Sequence, residues 1–435
     1  MKLNYKRTVL IGFAFMSILA FWQFYDQVIP VLLESIFDIS TFYASSIMAI
    51  DNILALFMLP IFGALSDKTK SHLGKRTPYI LFGTIAAFIL MLVLGAFTDK
   101  ANFMGFFITL MVLLITMSVY RTPAVAYMPD VTEKPLRSKG NAIINLVGYI
   151  GGIFTSVVIM FMLKSEKDAN GKSVYVSGQS FFPVFAVIAA FMLVSVLIMV
   201  LTVNENKVLK ETNIRDEDEE EQNTGKGKKL EKGVAKSLFF ILASVFLWFM
   251  AYNGVTTTFS RYCLNVLNVD LSTSSSYMLT ATITAIIAFV PLGFLSSKIG
   301  RKKTILIGVA VMTACLFGAH FITGQTPMLF VILGVIGVAW AAINVNSFPM
   351  VVEMSSGADV GKYTGIYYTF SMAAQITTPV LSGFIIDNLG FGYKALFPYA
   401  VIFAFASFVT MCFVKHGDSK PEPRKSVLES FDTED

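Results

Sequence analysis

Long apolar segments recur along nearly the whole chain, separated by short polar loops. Each is roughly 20 residues or longer, enough to cross about 30 Å of hydrocarbon as a helix. Reading between the charged positions predicts twelve spans, at residues 8–35, 42–65, 78–98, 104–129, 138–163, 181–203, 236–260, 272–296, 304–323, 327–349, 362–386 and 393–414. The first has no small-residue cleavage site, so we interpret it as a retained span rather than a signal peptide. The pattern predicts an all-α membrane protein in a lipid bilayer.

One extended polar stretch, residues 204–235, divides the spans into two groups of six. It contains the acidic run DEDEEE at 216–221, followed by a lysine-rich segment. We predict a solvated cytoplasmic linker between six-helix bundles at residues 1–203 and 236–415, with a cytoplasmic tail at 416–435. A regulatory or partner-binding role for the linker is the alternative.

Basic residues indicate the orientation. With the N-terminus in the cytoplasm, 27 of the 34 Lys and Arg residues fall in inside segments, 6 in outside segments, and Arg121 alone within a span. This asymmetry agrees with the positive-inside rule. We therefore expect a multi-pass protein of the plasma membrane, monomeric, with both termini cytoplasmic.

The composition indicates that water is not the main solvent of this chain, and the motifs of common enzymes are missing. Charged residues make up 14% of the chain, against about 25% in soluble domains. The three cysteines and three histidines are scattered, and no HExxH, CxxC or phosphate-binding glycine motif occurs. We expect no enzyme activity, no metal or cofactor, and no nucleic-acid partner.

The two groups of spans repeat one another. GALSDKTKSHLGKR begins at Gly63 and GFLSSKIGRKK at Gly293; Trp22 precedes Tyr25-Asp26, and Trp248 precedes Tyr252-Asn253; MPDVT matches MVVEMS. Three matches in the same order at nearly one offset indicate duplication of a six-span unit. Parallel halves of this kind belong to transporters that rock around a site near the bilayer midplane, which implies alternating access.

The repeated loops supply candidates for a cytoplasmic gate. A glycine lets helices approach closely, and Asp67 can pair with bases or a helix terminus to hold that side shut. The alternative is that the charges serve only topology. The gate candidates are Gly63, Asp67, Lys75, Arg76, Asp130, Arg137, Gly293, Arg301 and Glu353.

Four stretches resemble the sucrose-proton symporter branch of the major facilitator superfamily and, more loosely, its glycoside-pentoside-hexuronide cation symporters. They are AFWQFYDQVIP, SDKTKSHLGKRTPY, TPAVAYMPDVT and WFMAYNGVTTTFSRY. The resemblance covers both halves and implies the major facilitator fold and symport of a sugar or glycoside with a cation. Melibiose-type relatives carry paired acids near the positions of Ala55 and Leu59, whereas this chain has Asp51. H⁺ is our expected coupling ion, and Na⁺ stays open.

Asp26, Asp51 and Arg121 are ionisable and lie well inside predicted spans of the first half. Each costs roughly 2.5 to 3.5 kcal/mol at the bilayer centre, so we expect them to pair across a polar cavity. Asp26 belongs to a polar stripe with Gln23, Gln27 and Glu34 at helical spacing. We expect Asp26 to bind the coupled proton and Arg121 to respond to it. A permanent salt bridge between helices is the alternative.

Sugar recognition needs hydrogen-bonding groups and aromatic faces. Side chains of this kind cluster where the resemblance places the cavity. The candidates are Trp22, Gln23, Tyr25, Asn145, Tyr252, Asn253, Thr256, Asn344 and Gln375. The leading hypothesis is cation-coupled transport of a small glycoside, expected to be a disaccharide. A proton-coupled exporter of a metabolite or drug and a transporter-like solute sensor are the alternatives.

Overall fold

A computed structural model describes residues 4–131, 137–167, 173–175, 179–211, 231–352, 354 and 360–418. In these ranges twelve helices have 17 residues or more. The first half comprises α1 (Tyr5–Ser35), α2 (Thr41–Lys68), α3 (Thr77–Asp99), α4 (Phe103–Asp130), α5 (Arg137–Met162) and α6 (Phe182–Thr202). After the short α7 (Glu205–Glu211), the second half comprises α8 (Lys232–Tyr262), α9 (Leu271–Ile299), α10 (Arg301–His320), α11 (Met328–Val352), α12 (Val360–Asp387) and α13 (Leu396–Cys412).

The helical membrane architecture predicted from the hydropathy pattern is confirmed. In the part of the chain that the structure describes, eleven helices contain a segment long and apolar enough to cross a membrane. Two features were not predicted. A two-stranded antiparallel hairpin pairs β1 (Ser165–Lys167) with β2 (Ser173–Tyr175) between α5 and α6. A π-helical turn, Cys263–Leu267, continues α8 beyond its predicted end.

Helix packing repeats from one half to the other. In the first half α1 packs on α5 and α6, α2 on α4, and α3 on α4 and α6. In the second half α8 packs on α12 and α13, α9 on α11, and α10 on α11 and α13. The pattern is the same helix for helix. The contacts between the halves follow the same correspondence, in which α2 matches α9 and α5 matches α12. α2 packs on α12, and α5 packs on α9.

Each half has its own apolar core. One cluster of buried side chains extends from Ile11 to Val208 with Leu271 added, and the other from Ile241 to Val414. Many apolar side chains point outward instead, among them Phe57 (65% exposed), Phe82 (63%) and Leu201 (83%). An outer surface of this kind is suited to lipid rather than water.

The halves meet most closely at one end, here called the closed end, where α1 ends at Ser35 and α2 begins at Thr41. The backbone N–H of Phe42 donates to Asp387 at 2.6 Å, and the hydroxyls of Thr41 and Tyr393 are 2.7 Å apart. Gly383 of α12 lies against Phe42, whose Cα would be 3.0 Å from a Cβ at the glycine. The contacts between α2 and α12 are therefore tight at this end.

Candidate functional site

The polar stripe of α1 lies in the interior of the molecule. α1 packs against α2, α4, α5, α6 and α8, and Asp26 is half-buried. One turn earlier, Trp22 makes an edge contact with Tyr25 at 5.5 Å between ring centroids. The Tyr25 hydroxyl donates to the carbonyl of Met48 in α2 at 3.3 Å. Tyr25 is thus fully engaged in packing α1 on α2.

Arg121 of α4 lies over the ring of Trp22, with its guanidinium carbon 5.3 Å from the centroid. A cation–π contact of this kind stabilises a cation by about 0.5 to 2 kcal/mol, depending on desolvation. Among the described residues no hydrogen bond or ion pair joins Arg121 to Asp26 or Asp51, so the direct pairing that we expected is not present in this conformation. Both carboxyl groups are still near enough to act on the guanidinium electrostatically. Asp51 instead accepts a hydrogen bond from Asn52 at 2.8 Å.

A chain of hydrogen bonds leads from the α1 stripe across to the second half. The side-chain amides of Gln23 and Gln27 both donate to the hydroxyl of Ser156 in α5, at 3.3 and 3.4 Å. The Ser275 hydroxyl of α9 then donates to Gln27 Oε1 at 2.7 Å. Gln23 therefore connects the polar interior to a contact between halves.

The first helix of the second half presents an aromatic wall. Tyr252 of α8 stacks on Trp340 of α11, with centroids 3.8 Å apart and planes at 4°. Phe249 meets the same indole edge-on at 5.2 Å. Trp340 was not among the predicted residues, because a tryptophan in an apolar span is as typical of core packing as of a binding surface.

Buried side-chain donors with no hydrogen-bond partner among the described residues include Trp22 Nε1 in α1 and Asn253 Nδ2 in α8, both of them predicted binding residues. An unpaired buried donor costs about 1 to 3 kcal/mol. The cost is relieved when a ligand brings an acceptor to the site. Donors of this kind, one from each half, suit a ligand that carries several hydroxyl groups.

The other predicted binding residues are half-buried on the helices expected, Asn145 on α5, Asn344 on α11 and Gln375 on α12. The Thr256 hydroxyl donates to the backbone carbonyl of Asn253 at 3.3 Å, and Gln375 donates to the carbonyl of Ser371 at 3.4 Å. These two groups are partly engaged within their own helices in this conformation.

The gate residues of the first half form a compact network at the opposite end from the closed end. Arg76 is buried, and its Nε donates to Asp130 at 2.8 Å while Nη1 donates to the carbonyl of Gly63 at 3.3 Å and to the hydroxyl of Ser66. Lys75 pairs with the same carboxylate at 2.9 Å. The structure thus brings four of the gate candidates together: Gly63, Lys75, Arg76 and Asp130.

The corresponding loop of the second half is built in the same way. The Ser66 hydroxyl donates to Gly63, and the Ser296 hydroxyl donates to Gly293, each at 2.9 Å. Arg301 begins α10 and is half-buried. The side chains of Asp67 and Arg137, the residue Glu353 and the acidic run at 216–221 lie outside the described part of the chain.

Two carboxylates that the sequence analysis missed hold these loops. Glu205 at the start of α7 is fully buried and accepts hydrogen bonds from the backbone N–H groups of Lys75, Arg76 and Thr77 at 2.9 to 3.1 Å. In the second half Asp418 accepts from the N–H of Lys302 at 3.1 Å. The start of the 204–235 segment therefore packs on the first half, contrary to the expectation that the whole segment is solvated.

Comparison with known proteins gives one family. The sequence model of the family described as "MFS/sugar transport protein" matches residues 10–412. The lactose permease of Leuconostoc lactis is 24% identical over 315 residues, which are 67% of this chain and 46% of the permease. The chain therefore spans less than half the length of that relative.

Solved structures with the same fold cover almost the whole chain. The xylose transporter XylE of E. coli superposes with a TM-score of 0.66 at 16% identity, covering 98% of both chains. A peptide transporter of the POT type gives a TM-score of 0.70 at 10% identity, covering 94% of this chain and 93% of its own. At these identities the likeness establishes the fold alone.

Proposed function

Because this chain belongs to the MFS/sugar transport protein family, we propose that it is a multi-pass membrane transporter that moves a glycoside together with a proton. A disaccharide is the substrate we propose, since the lactose permease is a relative across two thirds of the chain. The observation that carries the proposal is the pair of unpartnered donors, Trp22 Nε1 and Asn253 Nδ2. Sugar hydroxyls supply the acceptors that these groups lack, and the Tyr252–Trp340 stack offers an apolar face for the sugar ring.

The charges of the first half support a coupling role for Asp26. With both carboxylates ionised, Asp26, Asp51 and Arg121 sum to one negative charge. One proton, taken up on Asp26, makes the group neutral. A neutral interior is less costly to enclose in a medium of low dielectric constant, so protonation favours the change between the two orientations. In this scheme Asp51, held by Asn52, stays ionised beside Arg121.

The conformation we propose for this structure is open to the cytoplasm. The hydrogen bonds that join Phe42 and Thr41 to the second half lie at the end where α1 finishes. With the N-terminus inside, this end faces the outside of the cell. The gate network of Arg76 and Asp130 then lies on the cytoplasmic side.

Uptake into proteoliposomes tests this function. Labelled lactose and a panel of mono- and disaccharides are supplied under an acid-outside gradient, a Na⁺ gradient or neither. We expect the proton gradient to drive accumulation in the wild type and to fail in Asp26→Asn. Asp38→Asn is the matched control, because Asp38 is exposed and its left-handed backbone (φ 52°) suits asparagine. Undiminished gradient-driven uptake by Asp26→Asn overturns the coupling role, and accumulation driven only by Na⁺ identifies the other ion.

A further inference from the structure

A buried arginine joins the two halves at the closed end. The side chain of Arg261, in the last turn of α8, is 1% exposed. Its Nη1 donates to Glu34 of α1 at 2.8 Å and to the hydroxyl of Ser45 of α2 at 3.1 Å. Within its own helix its Nη2 donates to the carbonyl of Thr257 at 3.2 Å. The only carboxylate that pairs with Arg261 in the described chain thus comes from the opposite half.

Glu34, in the first half, likewise takes its partners from the opposite half. Its first carboxylate oxygen accepts from Arg261, and its second accepts from the hydroxyl of Tyr393, which lies just before α13. The hydroxyls of Tyr393 and Thr41 lie 2.7 Å apart, so the tyrosine also contacts α2. Every hydrogen-bond partner of the Glu34 carboxylate in the described residues belongs to the second half. Separation of the halves here removes both partners at once.

The Glu34–Arg261 ion pair can therefore form only when the two halves meet at the closed end. A buried ion pair offsets the desolvation of its members only while the geometry is good. When the end is closed, Glu34 and Arg261 compensate one another away from water. When it opens, both become hydrated and neither needs the other. The π-helical turn Cys263–Leu267 begins two residues after Arg261, and turns of this kind are frequent where helices serve a function.

We propose that Glu34 and Arg261 are gate residues of the transport cycle: the pair locks this end in the closed state and separates each time the end opens. Tyr393 and Ser45 orient the two charges. The proposal rests on transport by alternating access, but its test needs no substrate. Neither residue was a gate candidate from the sequence, where Arg261 counted only as one of the outside bases.

Spin-label distance measurements test the lock directly. Labels are placed at Tyr43→Cys on α2 and Leu389→Cys after α12, which are 64% and 53% exposed, with Cys315 and Cys412 replaced by alanine. In purified protein we expect the short-distance population to dominate. Glu34→Gln and Arg261→Gln should each raise the ratio of long to short distances about tenfold, the size of a typical coupling between states. The charge exchange Glu34→Arg/Arg261→Glu should restore the short distance.

Two further samples keep the test decisive. Asp38→Asn removes an exposed charge at the same end and should leave the distance distribution unchanged. Where a single variant unfolds because one buried charge is left alone, Glu34→Gln/Arg261→Met removes both charges and should fold while still opening. Unchanged distances in the neutral variants overturn the lock. Absence of sugar uptake in the wild type would instead refute the proposed function and leave the distance result standing.

Discussion

Gly151 of α5 lies directly against the main chain of Met16 in α1. A Cβ at Gly151 would collide with the carbonyl oxygen of Met16 and stand 3.1 Å from the backbone nitrogen of Ala20. Neither backbone group can turn aside as a side chain could. Small residues at such crossings allow helices in membranes to pack backbone to backbone. This contact fixes how closely the polar stripe of α1 approaches α5.

Gly151→Ala should therefore destabilise the first half by about 1 to 3 kcal/mol through overpacking. The neighbouring glycine provides the control. A Cβ at Gly152 would find its nearest atom, Gln23 Oε1, at 3.6 Å, which is an ordinary contact. Thermal unfolding in detergent should show a lower Tm for Gly151→Ala and little change for Gly152→Ala. Equal Tm values for the two variants would contradict the close approach of α1 and α5.

Glu205→Gln should weaken the clamp on the loop before α3. The carboxylate accepts from three backbone N–H groups and from the hydroxyl of Thr77 at 2.8 Å, whereas an amide offers one acceptor oxygen and places a donor against these donors. We expect a loss of about 1 to 3 kcal/mol. Glu231→Gln is the control, because Glu231 is exposed and makes no side-chain cap at the start of α8. Faster hydrogen exchange at residues 75–77 in Glu205→Gln alone would locate the effect.

Arg76→Gln should disturb the cytoplasmic gate more than Lys75→Gln does. Both bases contact Asp130, but the side chain of Arg76 is 5% exposed and also bonds Gly63 and Ser66, whereas that of Lys75 is 25% exposed. Loss of a buried charge-assisted hydrogen bond costs about 1.5 to 3 kcal/mol, and loss of an exposed ion pair about 0 to 1. Uptake rate and Tm should both fall in Arg76→Gln and stay near wild type in Lys75→Gln. Near wild-type uptake and Tm in both variants would show that the loop charges act only through topology.

The spans and the duplication could be predicted from the sequence because both are carried by patterns along the chain. Apolar length predicts helices that cross a membrane, and the paired loops at Gly63 and Gly293 mark the repeat. One predicted span ended at residue 260, before the charge of Arg261. The helix continues because Glu34 of the other half compensates that charge. A boundary that depends on a partner from the opposite half leaves no local signal.

The site residues that were not predicted likewise leave no local signal in the sequence. Glu205 binds backbone N–H groups, which no side-chain motif marks, and it stands at the start of a segment whose composition indicates a linker. Trp340 is one apolar residue among many until Tyr252 is seen to stack on it. Asp26, Asp51 and Arg121 could be singled out because charge inside an apolar span is costly. Their arrangement, with Arg121 over Trp22, could not.

Removing the aromatic face should weaken sugar binding. Tyr252→Leu abolishes the stack on Trp340. An aromatic pair contributes about 0.5 to 1.5 kcal/mol beyond the area it buries. We expect Kd for a bound disaccharide to rise about tenfold in Tyr252→Leu. Tyr252→Phe retains the ring and should stay within about threefold of wild type. Equilibrium binding to purified protein gives both values. Tight binding by Tyr252→Leu would argue against the stack as part of the sugar site.

Arg121→Gln should nearly abolish gradient-driven uptake, because Asp26 and Asp51 are then left without a compensating cation. If net charge governs the change of orientation, the second substitution Asp51→Asn should restore uptake several-fold in the Arg121→Gln background, although alone it impairs the wild type. Arg121→Lys keeps the charge but loses the planar group over Trp22, so an intermediate rate is expected. Initial uptake rates of Arg121→Gln, Asp51→Asn and the double variant form a double-mutant cycle with the wild type. Strictly additive losses would mean that Arg121 and Asp51 act independently, and the neutral-interior scheme for coupling would fail.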